Sequence, residues 1–304
     1  MNTIRAIHKV LKSIPTTEGA GVHLKRVFGY HHKPIFDPFL LLDDFGSDDP
    51  QDYLAGFPFH PHRGIETITY LIKGSVEHQD SLGNKGVIHS GDVQWMTAGS
   101  GIIHQEMPKE SKDGSMRGIQ LWANLPAAEK MTDPKYRDVT AVDIPTVQPQ
   151  PGVHVKVIAG TVDGVSGPVQ DIAIKPELLD VRMESGRQFT HLLPHGHTVF
   201  AYVLEGAGYF DPERDPYKFE RQGRNYFDFE RDCRLVFDTL VMYRDGDHIK
   251  VEAAEEGVRF ILVSGAPLNE PVAWAGPIVM NTHQELRTAF REFHNGTFIK
   301  SGKV

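Results

Sequence analysis

Short apolar or alternating runs recur along the whole chain, at Ile4–Val10, Val22–Val27, Thr67–Ile72, Val93–Met96, Ile102–His104, Gly118–Asn124, Val153–Ile158, Leu179–Met183, Val199–Leu204 and Arg259–Val263. Runs of this length, many with a period of two, are the mark of strands. Between them stand turn formers such as Leu82-Gly83-Asn84, Ser90-Gly91-Asp92 and Asp245-Gly246-Asp247. This spacing predicts an all-β protein, an antiparallel sandwich or barrel and not a series of βαβ units. One helix stands out near the C-terminus. Thr282 caps it with Glu285 three residues on, Leu286, Ala289, Phe290 and Phe293 form one apolar stripe, and Gly296 ends it.

With 304 residues and 40% apolar side chains, the chain can fill two cores. Pro145, Pro149 and Pro151 mark a boundary, so the expected domains are 1–145 and 166–304, separated by 146–165. The halves share a faint repeat, Tyr70-Leu-Ile-Lys-Gly74 against Tyr202-Val-Leu-Glu-Gly206 and Gly91-Asp92 against Gly246-Asp247. The repeat places an insertion in the second half at 211–238, read as a polar excursion or lid.

The net charge of −8, with no basic run, argues against direct nucleic-acid binding. No apolar stretch reaches membrane length, and polar residues follow Met1, so a soluble, cytoplasmic protein is expected. The single cysteine, Cys233, has no intramolecular disulfide partner and fits a reducing compartment.

The chemistry concentrates in two short segments. In Phe59-His60-Pro61-His62-Arg63-Gly64 the histidines are two apart, so on a strand both leave the same face. His104 and Glu106 repeat that spacing after Gly91-Asp-Val-Gln-Trp-Met-Thr-Ala-Gly-Ser-Gly101. Two strands can thus present four donors, His60, His62, His104 and Glu106, to one divalent ion. Imidazoles and a carboxylate suit first-row metals, and the absence of a thiolate cluster excludes cysteine-rich zinc and iron–sulfur sites. Fe(II) is the first expectation, with Mn, Ni, Co, Cu and Zn as alternatives. Such a ligand set leaves one or two positions of an octahedral ion open for substrate or dioxygen.

The segments Gly56-Phe-Pro-Phe-His-Pro-His-Arg-Gly-Ile-Glu-Thr67, Gly91-Asp92 through Met107-Pro108, and Gln120-Leu-Trp-Ala-Asn-Leu-Pro126 closely resemble the signatures of the pirin family of cupins. Asp37-Pro-Phe-Leu-Leu-Leu-Asp43 and, more weakly, the C-terminal half extend the similarity. The resemblance implies two antiparallel jelly-roll barrels packed face to face, with metal only in the first, held by residues matching His60, His62, His104 and Glu106. Cupins in general place the carboxylate ligand soon after the first histidine pair, where Glu66 stands here; the pirin pattern assigns Glu106 instead. Glu66 is therefore expected to support the site from behind. His195 and His197 form another pair, but alignment on the Tyr-X-X-X-Gly segment gives it the wrong strand parity for a second metal site.

The family association implies quercetin 2,3-dioxygenase chemistry, with a flavonol and dioxygen as substrates and Glu106 as the group accepting the substrate's hydroxyl proton. The competing expectation is a metal-sensing regulatory protein that acts through a protein partner without turnover. Trp95, Met96, Phe57, Phe59 and Met107 flank the ligands and are expected to be mainly core.

Overall fold

The computed structural model describes residues 3–222 and 232–300. The chain is mostly β, and one α-helix, His283–His294, appears among the described residues. Strands form at all ten positions expected from the alternation, usually longer than the apolar run itself: Ile102–Lys109 continues past His104, and Arg259–Val263 is the end of a strand spanning His248–Gly265. No helix among the described residues is long and apolar enough to cross a membrane.

Two compact units result, and neither is contiguous. One joins the stretch up to Ser13 to Val142–Pro267, and the other joins Ile14–Ala141 to the stretch from Leu268 onward. This differs from the contiguous division at 146–165 expected from sequence, and hydrogen bonding is the reason. Strand Ile7–Lys12 pairs with Thr239–Tyr243, while strand Ile278–Met280 and the helix contribute Ile278, Met280, Leu286 and Ala289 to a cluster that also holds Phe298 and packs against Ile103. A proline-rich boundary marks where the chain crosses over but says nothing about where its ends return.

The first unit contains a ten-stranded sheet over a core that includes Val181, Phe189, Tyr243, Phe260 and Leu262. Two short stretches of the proposed excursion at 211–238 join this sheet: Glu220–Arg221 pairs with Ile7–Lys12, and Arg234–Val236 with Thr198–Tyr209. Phe219 and Leu235 are buried in the core. Residues 223–231 lie outside the described residues.

The second unit carries the candidate site on two antiparallel sheets. Seven strands run in the order Lys135–Val139, Val93–Thr97, Ile65–Lys73, Met116–Asn124, Phe39–Ser47, Val22–Phe28, Ile14–Glu18. Four run in the order Phe57–His62, Ile102–Lys109, Ser75–Asp80, Lys85–His89. Across the larger sheet one register row is polar throughout, with Arg26, Asp43, Gln120, Thr69, Gln94 and Asp138 facing one another in turn. Partners in register share a face, and side chains two residues away return to it. The neighbouring row on that face therefore holds Leu41, Trp122, Thr67, Met96 and Tyr136.

The helix begins as expected, with Thr282 Oγ1 accepting from the Glu285 amide and the Glu285 carboxylate accepting from the Thr282 amide. Leu286 and Ala289 are buried, whereas Phe293 remains 38% exposed. Gly296 follows with φ of +70°.

Candidate metal centre

Strand Phe57–His62 pairs antiparallel with Ile102–Lys109, placing His60 directly opposite His104 and His62 opposite Ile102. The two-residue spacing then brings three imidazoles to one face. Their ring centroids lie 4.5 Å (His60–His104), 4.8 Å (His60–His62) and 5.0 Å (His62–His104) apart. One ligand nitrogen from each falls within 4.8 Å of the others, and this is the one such group of three among the described residues.

The ring orientations favour a cation. His60 Nδ1 lies 2.8 Å from the Pro58 carbonyl and His62 Nδ1 lies 3.3 Å from the Pro277 carbonyl. A carbonyl can only accept, so each Nδ1 carries a proton, and the neutral ring then offers its lone pair at Nε2. Those two Nε2 atoms face each other at 3.0 Å. His104, 1% exposed, has neither ring nitrogen hydrogen-bonded. Burial, reinforced by the neighbouring histidines, holds the pKa values of His62 and His104 well below the usual imidazole range, so both are neutral. Converging neutral lone pairs with no donor between them suit a divalent metal.

Glu106 is buried, but its carboxylate is not part of the three-histidine group. Strand Ile102–Lys109 is itself regular, its pairing with Ser75–Asp80 unbroken from His104 to Lys109, so His104 and Glu106 share a face as expected; the register shift against Phe57–His62 adds a residue between Phe57 and His60. The carboxylate instead accepts from Gln120 Nε2 at 3.1 and 3.3 Å and from Thr69 Oγ1 at 3.2 Å. Gln120 is itself oriented, since its Oε1 accepts from Trp122 Nε1 at 3.2 Å. Trp122 stands edge-on to His62, ring centroids 5.1 Å apart.

Glu66 is buried and accepts from Thr97 Oγ1 at 2.6 Å; burial raises its pKa. No hydrogen bond from Glu66 to a histidine occurs among the described residues. Backbone carbonyls stand behind His60 and His62, and Gln120 behind Glu106. Trp95 and Met96 are core, Phe59 is 53% exposed, and Phe57 lines the site cavity. His195, in the other unit, is exposed and bound to Asp247 at 2.6 Å, while His197 Nδ1 lies 3.4 Å from Ser264 Oγ.

The chain next to the ligands is tightly constrained. Arg63, 2% exposed, donates to the Ser100 and Phe298 carbonyls and to Glu292 on the helix. Gly64 has φ of +78°, and a Cβ there would lie 2.0 Å from the Val279 carbonyl oxygen. Only glycine permits this crossing. Lys130 fills the space beside it, its ammonium donating to the Gly64 and Val279 carbonyls and to Asn124 Oδ1.

A cavity of about 820 Å³ opens over His60 and His62. Tyr30, Phe57, Trp122 and Trp274 provide its aromatic surface, and Glu18, Arg26, Asp43 and Gln120 its polar edge. A cavity of this size and character suits a drug-sized organic ligand. Sequence reasoning missed Trp274 and Tyr30, which reach the site only through the fold. Gln120 and Trp122 do carry a signal, since their two-residue spacing on a strand assigns both to one face.

Comparison with known proteins identifies the family. Residues 21–123 match the Pirin family model, and residues 178–299 match the model of the pirin C-terminal cupin domain. A pirin-like protein of Caulobacter vibrioides is 39% identical over 97% of this chain and 99% of its own length. Pirin-1 of Arabidopsis thaliana is 38% identical over 95% of this chain and 92% of its own. Among solved structures, quercetin 2,3-dioxygenase from Acinetobacter baumannii aligns with a TM-score of 0.83 and 32% identity, covering 97% of this chain and 99% of that one. The Escherichia coli pirin YhhW in complex with nickel(II), at 20% identity and a TM-score of 0.61 over 85% of this chain and 98% of that one, shares the fold. The chain therefore belongs to the pirin family, with two cupin domains.

Proposed function

We propose that this protein is a mononuclear metal-dependent dioxygenase that opens a flavonol such as quercetin, with His60, His62, His104 and Glu106 holding the ion. The observation that carries this reading is the convergence of three imidazoles beneath an aromatic-lined cavity large enough for a flat multi-ring compound. The names of similar proteins point the same way. Fe(II) is the preferred ion, and each unit is read as a closed cupin barrel.

When bound, the ion supplies Lewis acidity to a substrate hydroxyl and electron exchange with dioxygen. The protein's own groups do the rest. Trp122, Trp274 and Phe57 hold the flat ring and exclude water, which strengthens polar interactions inside the cavity. Glu106 accepts the hydroxyl proton, and Gln120 and Thr69 keep its carboxylate oriented.

The test is dioxygen uptake by Fe(II)-loaded protein with quercetin, beside His62→Ala. Uptake by the native protein and none by the variant supports the reading. Equal rates remove the dioxygenase assignment and leave metal-dependent regulation of a protein partner in its place.

A further inference from the structure

The polar edge of the cavity has an unusual balance of committed and uncommitted groups. Arg26 uses all three guanidinium nitrogens: Nε and Nη2 donate to the two oxygens of Asp43 at 2.9 and 2.8 Å, and Nη1 donates to Glu18 Oε1 at 2.8 Å. Asp43 is buried and both its oxygens are taken. Gln120 is committed to Glu106 and Trp122, and Trp274 Nε1 donates to the Gly276 carbonyl. Glu18, with its side chain 42% exposed, retains Oε2 without a hydrogen bond among the described residues. It is the one charged acceptor in the lining that is still free.

The charges have a direction as well. Glu18 and Asp43 together outnumber Arg26, so this edge carries net negative charge and offers no cationic donor to a ligand. A carboxylate placed there would be repelled, whereas a hydroxyl donor would gain a charge-assisted hydrogen bond. Position is held by the fold: Arg26 and Asp43 face each other on adjacent strands, and Arg26 clamps Glu18 at the end of the neighbouring edge strand. Gly19, directly after Glu18, has φ of +58° and packs against Phe57 so closely that a Cβ would lie 2.7 Å from the ring.

We infer that Glu18 is a specificity-determining residue, accepting a hydrogen bond from a second hydroxyl of the substrate, beyond the one directed at the histidines. Arg26 is its positioning residue. The inference rests on the reading that flavonol-type compounds occupy this cavity. It narrows the substrate class to uncharged, multiply hydroxylated flat aromatics, and a compound with the same rings but no second hydroxyl forfeits the contact with Glu18.

Binding separates this from turnover. Zn(II)-loaded protein, unable to exchange electrons with dioxygen, is titrated with quercetin and with 3-hydroxyflavone, which keeps one hydroxyl, and tryptophan fluorescence quenching gives both dissociation constants. The native protein is expected to prefer quercetin by about tenfold or more, the range of a charge-assisted hydrogen bond. Glu18→Ala is expected to reduce that preference at least threefold by weakening quercetin alone, with Glu18→Gln intermediate. Unchanged 3-hydroxyflavone affinity reports an intact cavity; should Glu18→Ala fail to fold, the ratio in Glu18→Gln decides. The same preference in native and variant proteins overturns the role of Glu18 while leaving the cavity reading in place. No quenching by either compound in the native protein overturns both.

Discussion

Gln120 joins the Glu106 carboxylate to the cavity wall. Its Nε2 contacts both oxygens of Glu106 while Trp122 holds its Oε1, so the amide has one orientation that satisfies both neighbours. Gln120→Leu keeps the shape but removes the donor. It is expected to lower metal affinity by about 10–100-fold with the fold intact, as measured by chelator competition and melting; unchanged affinity would separate Glu106 from the metal. Lys130 gives a pH-dependent counterpart, because burial pulls its pKa down to about 8. Between about 8 and the ordinary lysine value near 10.5 the unfolded chain binds the proton more strongly than the folded chain. Stability therefore gains a contribution as pH rises through that window, and the contribution is absent below about 8. Lys130→Met should abolish this rise in pH-dependent denaturation curves. At neutral pH it should also cost about 3 kcal/mol, because three buried acceptors lose their donor.

At the scale of elements, the C-terminal helix bears on the strand of His60 and His62 through Arg63, the residue after His62. Its guanidinium bonds to Glu292 and to the Phe298 carbonyl and stacks 4.2 Å from the Phe298 ring centre. Arg63→Ala removes one partner of a largely buried ion pair and should destabilise the protein by about 3–5 kcal/mol. Thr282→Ala, which loses only the helix cap, should cost about 1 kcal/mol. Urea denaturation distinguishes the two magnitudes; equal small losses would mean that the helix does not brace the strand of His60 and His62. The capping box was legible in the sequence because it depends on residues three apart. The Arg63 anchor was not, because its partners lie more than two hundred residues away.

For the whole molecule, metal binding should stabilise the native state by mass action, about 2.7 kcal/mol at a free metal concentration 100 times the dissociation constant. Hydrogen exchange locates the effect. Protection should rise in Phe57–His62 and Ile102–Lys109 on metal addition and fall on chelation, with little change in the ten-stranded sheet of the other unit. A uniform rise across both units would place the ion elsewhere.

The all-β class, the strand positions, the helix and its cap, and the two histidine-bearing segments were all legible in the order of residues. All of these follow from periods of two to four residues, which local stereochemistry enforces. Convergence of His60, His62 and His104 was legible for the same reason, since strand parity sets the face of each side chain. Which unit the chain ends complete, that Glu106 meets Gln120 and Thr69 of the larger sheet, and that Trp274 and Tyr30 close the cavity over the histidines were decided only in the tertiary structure. These depend on pairings between distant segments, whose free energy comes from burying surface and completing backbone hydrogen bonds across strands, and neither leaves a short-range pattern in the chain.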